Sequence, residues 1–101
     1  MLRSLLAVLA VCALPLAQAN EAEALFKSKP CVACHSAETK MLGPTFKDVA
    51  TKYAADVNAA ANIANSIKSG SSGKWGAIPM PPNAVTEQEA LMLAEWILSH
   101  K

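Results

Sequence analysis

Two cysteines and a histidine form the stretch of this sequence with the most recognisable chemistry. Cys31-Val32-Ala33-Cys34-His35 matches Cys-x-x-Cys-His, the spacing at which a haem is attached covalently. Thiols three positions apart lie on one side of a helical turn, where both can add to the two vinyl groups along one porphyrin edge. The imidazole that follows is then carried beneath the iron as an axial ligand. The motif therefore predicts one covalent haem c.

Other uses of the same residues were weighed against a haem. A thioredoxin-like dithiol would need a βαβ setting, and no parallel-sheet pattern follows the motif. A zinc ion would need a fourth ligand, and the other histidine, His100, stands near the C-terminus, where a solvated side chain is expected. A disulfide between Cys31 and Cys34 would suit an exported chain but would leave His35 unexplained. These alternatives stay open at the level of the motif, and the haem accounts for all three residues.

A methionine between two prolines, Met80, is the candidate for the second axial ligand. The flanking prolines restrict the backbone on both sides, which limits the ways in which the thioether could move off the iron. Met41 follows too soon after His35, and Met92 falls inside the predicted last helix, where a core role is expected. We therefore expect Met80 to ligate on the face of the ring opposite His35.

Helical patterns account for most of the remaining sequence. Asn20 is a candidate N-cap for a first helix, which Pro30 ends just before the motif. Thr86 and Glu89 have the spacing of a capping box at the start of a last helix. Apolar residues at helical spacing predict two further helices; they are Phe46, Val49, Ala50 and Tyr53 for the second helix, and Val57, Ala60, Ala61, Ala64 and Ile67 for the third. No segment alternates like a strand, so an all-α domain is predicted.

The predicted domain is small for its hydrophobic content, which is 52% of 101 residues. A chain of this size buries little apolar surface, and such domains commonly depend on a covalent staple or a metal centre. A haem would supply that centre, so that core and cofactor pocket form one unit. The expected core residues are Phe26, Phe46, Tyr53, Ile63, Ile78, Leu93 and Ile97.

The first nineteen residues have the layout of a secretion signal. Arg3 gives a positive start, residues 5–16 are apolar, and residues 17–19 have the small side chains that signal peptidase requires. We expect residues 1–19 to be removed as a signal peptide and residues 20–101 to form one domain in the periplasm. A spanning helix is disfavoured because the apolar run is shorter than the roughly 20 residues that cross a bilayer. A lipidated Cys12 is disfavoured because it follows a bulky valine.

Charge is nearly balanced in this chain. Nine lysines and arginines stand against eight acidic residues, a net charge of +1, and loss of Arg3 with the signal would bring the side chains to zero. Nucleic-acid binding is not expected, because such domains are usually strongly basic. The distribution is uneven and would give a dipole that orients a partner, although ordinary solvated faces show the same pattern. The lysines before position 80 are Lys27, Lys29, Lys40, Lys47, Lys52, Lys68 and Lys74, and Glu87, Glu89 and Glu95 follow it.

The sequence resembles the class I cytochromes c, in particular the small exported monohaem cytochromes c of bacteria. The matching stretches are LFKSKPCVACH, KMLGPTFKDVA, GSSGKWGAIPMPPN and the terminal AEWILSHK, and they run through the whole of residues 20–101. The resemblance implies an all-α fold of about four helices around one covalent haem. It also implies a monomeric, periplasmic one-electron carrier of the respiratory chain, without enzyme activity or stable membrane insertion. Its partners would be reductases and oxidases, such as nitrite reductase, peroxidase or a terminal oxidase.

Individual residues receive roles from this resemblance. It implies thioether bonds to Cys31 and Cys34 and axial ligation of the haem iron by His35 and Met80. It further implies that the carbonyl of Pro44 accepts the free imidazole N–H of His35, which fixes the tautomer. Without the resemblance, Pro44 would be interpreted only as a helix-start proline.

Two polar side chains complete the expected site. The resemblance implies that the Asn83 side-chain amide donates toward the Met80 sulfur, and that the Trp75 indole N–H donates toward a haem propionate. On their own, Asn83 would be interpreted as a turn residue and Trp75 as a packing residue. The sequence departs from the family at Ser66, where some members carry an arginine near the buried propionate; Lys68 or Trp75 is expected to compensate.

A haem with both axial positions filled has no open site for a substrate. Electron exchange through the haem edge is then the expected activity. A haem enzyme or gas sensor would need a vacant sixth position and distal acid–base groups, and no distal histidine is visible. A subunit held permanently in an oxidase or dehydrogenase complex is a further alternative that the sequence leaves open.

Overall fold

The computed structural model describes residues 15–101, which form four α-helices and one turn of 3₁₀-helix. The helices and their bounds are α1 Leu16–Ser28, α2 Phe46–Lys52, α3 Ala59–Ser69 and α4 Glu87–Leu98, and the 3₁₀ turn is Pro30–Ala33. Within residues 15–101 the only β pairing is a single bridge between Ser71 and Met80. This architecture confirms the predicted all-α fold. Most of the predicted signal peptide lies outside the described residues.

Helix α4 organises the core, because it packs against α1, α2 and α3. Its buried face carries Ala90, Leu93 and Ala94, and Ala22 of α1 is buried in the same cluster. Small side chains at these positions allow the helices to approach closely, while Leu93 fills the space between them. None of the helices that the structure describes is both long and apolar enough to cross a membrane.

Hydrogen bonds from side chains fix where two of the helices begin. The Glu89 amide donates to Thr86 Oγ1 over 3.1 Å, and the Thr86 amide donates to Glu89 Oε1 over 2.9 Å. This reciprocal pair confirms the predicted capping box at α4. At α2, which starts directly after Pro44 and Thr45, the Asp48 amide donates to Thr45 Oγ1 over 3.1 Å.

The first helix begins earlier than the sequence predicted. Helix α1 starts at Leu16, so Asn20 lies inside it and the prediction of an Asn20 cap was wrong. Residues 17–19 include two alanines, the strongest helix former, and they extend the helix backwards from Asn20. Its end was predicted well: α1 stops at Ser28, and Lys29 is extended, as expected of a residue before proline.

The third helix also differs at its start. It begins at Ala59, and the Val57 side chain is 96% exposed rather than part of the apolar face. The Asp56 carboxylate causes this, because it accepts hydrogen bonds from the Asn58 amide and from Asn62 Nδ2, each over 2.8 Å. Such a local bond holds the chain in a turn and delays the helix.

Two further expectations change in the structure. Ile78 is 61% exposed, so its assignment to the core was wrong; it lies in an irregular loop. His100 is half-buried rather than solvated, because its ring packs against Trp96 and Phe46 with centroids 4.9 and 5.2 Å apart. Its Nδ1 also lies 2.8 Å from the Trp96 carbonyl oxygen. The other expected core residues are buried or half-buried as predicted.

Candidate haem site

A cavity of about 270 Å³ opens between the helices and the loop that follows α3. All four helices contribute to its wall, which is largely apolar. The helix side chains that line it include Phe26, Val49, Ile63, Ile67, Leu93 and Ile97. The cavity therefore replaces much of the centre that a protein of this size would otherwise fill with side chains.

One wall of the cavity is formed by the Cys-x-x-Cys-His segment. Cys31 and Cys34 are free thiols, both half-buried, and both line the cavity together with His35. The His35 and Cys34 amides donate to the Cys31 carbonyl over 2.9 and 3.1 Å, which winds the chain into a tight turn. Cys31 and Cys34 are thus both unpaired in this structure, and the turn brings their two sulfur atoms and the His35 imidazole to one cavity.

Burial raises the pKa of the Cys31 thiol above its ordinary value, although a backbone hydrogen bond and the charge of Lys29 act in the opposite direction. The raised pKa favours the neutral thiol. Cys31 is therefore a weak nucleophile without a cofactor, which does not suit a thioredoxin-like redox dithiol.

The His35 ring is held from two sides. Its Nδ1 lies 3.0 Å from the Pro44 carbonyl oxygen. When Nδ1 carries the proton and donates to this carbonyl, Nε2 keeps the lone pair that a metal requires. The Gly43 backbone backs the same ring: a Cβ atom there would lie 2.5 Å from His35 Cε1. Any larger residue at 43 would push the imidazole from its place.

Gly43 was not singled out from the sequence. Its importance depends on a ring that approaches it from eight positions away, and nothing in its neighbours predicts that approach. The available signal was its place directly before Pro44 in the KMLGPTF stretch. The Gly43 amide also donates to the Cys34 carbonyl over 2.8 Å, which ties this stretch to the motif.

Met80 lines the same cavity as His35. Its backbone exchanges two hydrogen bonds with Ser71, over 2.8 and 3.0 Å. Gly70 makes this pairing possible, because its φ is +84° and a Cβ atom there would lie 2.9 Å from the Met80 carbonyl oxygen. The rival methionines are elsewhere: Met41 is 44% exposed and Met92 packs against the helical core.

Asn83 fixes the chain beyond Met80. Its side-chain Nδ2 donates to the Ile67 carbonyl over 3.0 Å and to the Pro81 carbonyl over 3.3 Å. Its backbone N–H also donates to the Ile67 carbonyl. In this structure the side-chain amide of Asn83 thus donates to carbonyl groups rather than to the Met80 sulfur. These bonds attach the methionine loop to the end of α3.

The edge of the cavity near Trp75 is basic. Lys52 Nζ lies 4.4 Å from the centroid of the Trp75 ring, and Lys74 Nζ lies 3.4 Å from Ser66 Oγ. Lys68, one of the two residues expected to compensate for Ser66, instead lies 3.4 Å from a carboxylate oxygen of Glu87. Lys68 does not line the cavity. The adjacent Ile67 is buried and lines it, and neighbouring side chains on a helix point in different directions.

The residues of this cavity fit a haem. Its wall offers two thiols, an imidazole with a fixed ring and a thioether, within an apolar surface broken by polar groups at one edge. Cys31 and Cys34 would hold the cofactor covalently, while His35 and Met80 supply the two donor types that ligate haem iron in electron carriers. No cluster of three or more acidic, cysteine and histidine side chains suited to a metal ion is found within residues 15–101.

Comparison with known proteins agrees with this geometry. The family model for cytochrome c matches residues 19–101, so the chain belongs to the cytochrome c family. It is a small class I c-type cytochrome, a haem protein that carries electrons and is not an enzyme, and it binds one covalent haem c.

Similar proteins are known from several bacteria. The chain is 62% identical to cytochrome c-551 of Stutzerimonas stutzeri over 85 residues, which cover 84% of this chain and 82% of the relative. It is 58% identical to cytochrome c-551 of Pseudomonas aeruginosa, with the same coverage of both chains. The crystal structure of Nitrosomonas europaea cytochrome c552 is similar with a TM-score of 0.75 and 52% identity, over 78% of this chain and 99% of that one.

Proposed function

We propose that this cytochrome carries single electrons in the periplasm with a haem whose iron is ligated by His35 and Met80. The observation that carries the proposal is that His35 and Met80 line one cavity, and that the His35 imidazole is hydrogen-bonded to the Pro44 carbonyl. Cys31 and Cys34 would form the two thioether bonds. The haem, when bound, supplies the one-electron couple, and the protein supplies its ligands and its surroundings.

Several residues set the properties of this couple. The Pro44 carbonyl holds the proton on His35 Nδ1, which orients the ring and increases the basicity of Nε2. The Ser71 and Asn83 hydrogen bonds hold the Met80 loop, so that the thioether stays in place in both oxidation states. The apolar helix side chains exclude water. Two protein ligands leave no position for a substrate, which is appropriate to a carrier.

Trp75 and Asn83 are assigned more specific roles in the proposal. The Trp75 indole N–H would donate to a haem propionate, since Trp75 lines the cavity at its basic edge. Donation from Asn83 to the Met80 sulfur remains a prediction, because the Asn83 amide donates to two carbonyl oxygens here. Its structural role in anchoring the loop does not depend on that bond.

Export is the second part of the proposal. Cleavage after Ala19 would leave residues 20–101, and it would remove the first four residues of α1 while keeping the buried Ala22. The mature protein would then act as a monomer between respiratory reductases and oxidases, of which nitrite reductase, peroxidase and terminal oxidase are candidates. Membership of the cytochrome c family supports one redox protein as electron donor and another as electron acceptor.

Two measurements on the exported protein test the proposal. Visible spectroscopy of the ferric protein should show the weak band near the red end that is diagnostic of methionine ligation. Intact mass should equal the chain from Asn20 plus one haem. A mass equal to the bare polypeptide, or haem that acid acetone removes, would contradict covalent attachment, and a mass that includes residues 1–19 would contradict cleavage.

A further inference from the structure

The carboxylates of a haem place a demand on this cavity. The two vinyl groups and the two propionates leave the porphyrin from opposite edges, so bonds to Cys31 and Cys34 direct the propionates toward the wall that lacks the cysteines. A carboxylate removed from water is costly unless it is paired with a cation or with hydrogen-bond donors. That wall must therefore supply such groups.

Lys74 is the residue that meets this demand. Among the cavity-lining residues in the described part of the chain, it is the one lysine, and neither arginine, aspartate nor glutamate lines the cavity with it. Its Nζ lies 3.4 Å from Ser66 Oγ in a contact open to solvent, so an ammonium and a hydroxyl converge at the exposed edge of the cavity, where a propionate would leave it. The next residue, Trp75, also lines the cavity.

A second lysine holds this group in position. Lys52 Nζ, from the end of α2, donates to the Lys74 carbonyl over 2.9 Å and lies 4.4 Å from the centroid of the Trp75 ring. One ammonium thus fixes the backbone of Lys74 and the ring of Trp75 together. It also adds a second positive charge to the same edge.

We propose that Lys74, with the Ser66 hydroxyl, binds a haem propionate, and that Lys52 positions Lys74 and Trp75 for this contact. The inference rests on the haem site proposed above and adds to it the residue that sets the charge at the propionate. It also explains how a serine is tolerated at position 66: the cation comes from the neighbouring loop, not from α3.

The charge of Lys74 has a measurable effect on the couple. A nearby cation favours the ferrous state, which has one positive charge fewer than the ferric state, and it favours the ionised propionate. In Lys74→Met the midpoint potential at alkaline pH should therefore fall. The propionate pKa should rise, so the pH range in which the potential depends on pH should move upward.

Lys68→Met is the matched control, because it removes the same charge from an exposed side chain of α3 that lies against Glu87 of α4. It should shift the potential much less and leave the propionate pKa unchanged. In the double variant Ser66→Lys with Lys74→Met, the ammonium is carried by position 66 instead of position 74. The midpoint potential should then depend on pH as it does in the unmodified protein. Lys74→Arg should retain this dependence as well.

Redox titration over a pH series and NMR titration of the propionate provide the two readouts. If Lys74→Met and Lys68→Met give equal potentials and equal propionate pKa values, Lys74 is an ordinary surface charge and the inference is wrong. The red-end methionine band should persist in every variant. Its absence from the parent protein would instead contradict the proposed ligation, so the two failures are distinguishable.

Discussion

The Pro44 carbonyl oxygen lies 3.0 Å from His35 Nδ1, and the preceding residue, Gly43, has no room for a side chain beside the same ring. Pro44 and Gly43 affect the His35 ring in different ways. The carbonyl selects the protonated nitrogen, while Gly43 leaves room for the ring to reach it. Together they determine which nitrogen faces the cavity.

Replacement of Gly43 by alanine tests this steric role. A methyl group there would lie 2.5 Å from His35 Cε1, so the ring or the 41–44 segment must move. We expect a loss of about 1–3 kcal/mol in the free energy of unfolding, the usual cost of overpacking. NMR signals of the His35 ring should shift as well. Gly73→Ala is the control for the NMR signals alone: its φ of +75° makes alanine strained there, but no atom outside its immediate neighbours lies within 4 Å of the added Cβ, so the His35 signals should stay in place.

Replacement of Met80 by alanine tests the sixth ligand. The haem should stay attached, because Cys31 and Cys34 are unchanged, but the methionine band should vanish and the midpoint potential should fall as thioether stabilisation of the ferrous state is lost. Cyanide and carbon monoxide should bind readily. Met41→Ala and Met92→Ala are the controls and should keep the band. If the band survives in Met80→Ala and disappears in a control, another residue is the ligand.

Replacement of Thr86 by alanine tests the capping box of α4. Both reciprocal hydrogen bonds with Glu89 involve this residue, and its hydroxyl is lost. We expect a loss of about 1 kcal/mol in the free energy of unfolding, measured by thermal or denaturant unfolding. The absorption spectrum should not change. Thr39→Ala, at an exposed position outside the helices, should cost much less; equal costs would show that the cap contributes nothing specific.

Association with a redox partner should depend on salt if the lysines guide docking. Surface charges are screened over about 8 Å at physiological ionic strength, so the second-order rate of electron transfer to an acidic partner should fall as salt is raised. Stopped-flow reduction over a salt series measures this. A flat response would favour docking through apolar groups such as Ile78, which is exposed beside the cavity.

Local sequence patterns predicted the parts of this protein that depend on neighbours in sequence. The Cys-x-x-Cys-His spacing identified the cofactor, and the Thr86–Glu89 spacing identified the start of α4, because both features are set within one helical turn. The predicted helix starts at Asn20 and Val57 were wrong because other local preferences were stronger. Good helix formers before Asn20 extend α1 backwards, and the Asp56 carboxylate holds a turn that delays the start of α3.

Contacts between distant segments could not be predicted in the same way. Gly43 against His35 and Lys74 against Ser66 depend on how loops return to the helices. The sequence offered Lys68 or Trp75 as the residue that compensates for Ser66, yet Lys68 lies against Glu87 and the cation beside Ser66 is Lys74. Proximity along a helix is a poor guide to which side chain shares a wall.

The paired hydrogen bonds between Ser71 and Met80 have a consequence for how this protein can vary. They close residues 72–79 into a cassette whose two ends are fixed independently of what lies between them. Exchange of residues within the cassette can alter the charge at the haem edge while the methionine backbone stays where it is. The reduction potential and the proposed ligation by Met80 would thereby be separable, so that one could be tuned, by selection or by design, without loss of the other.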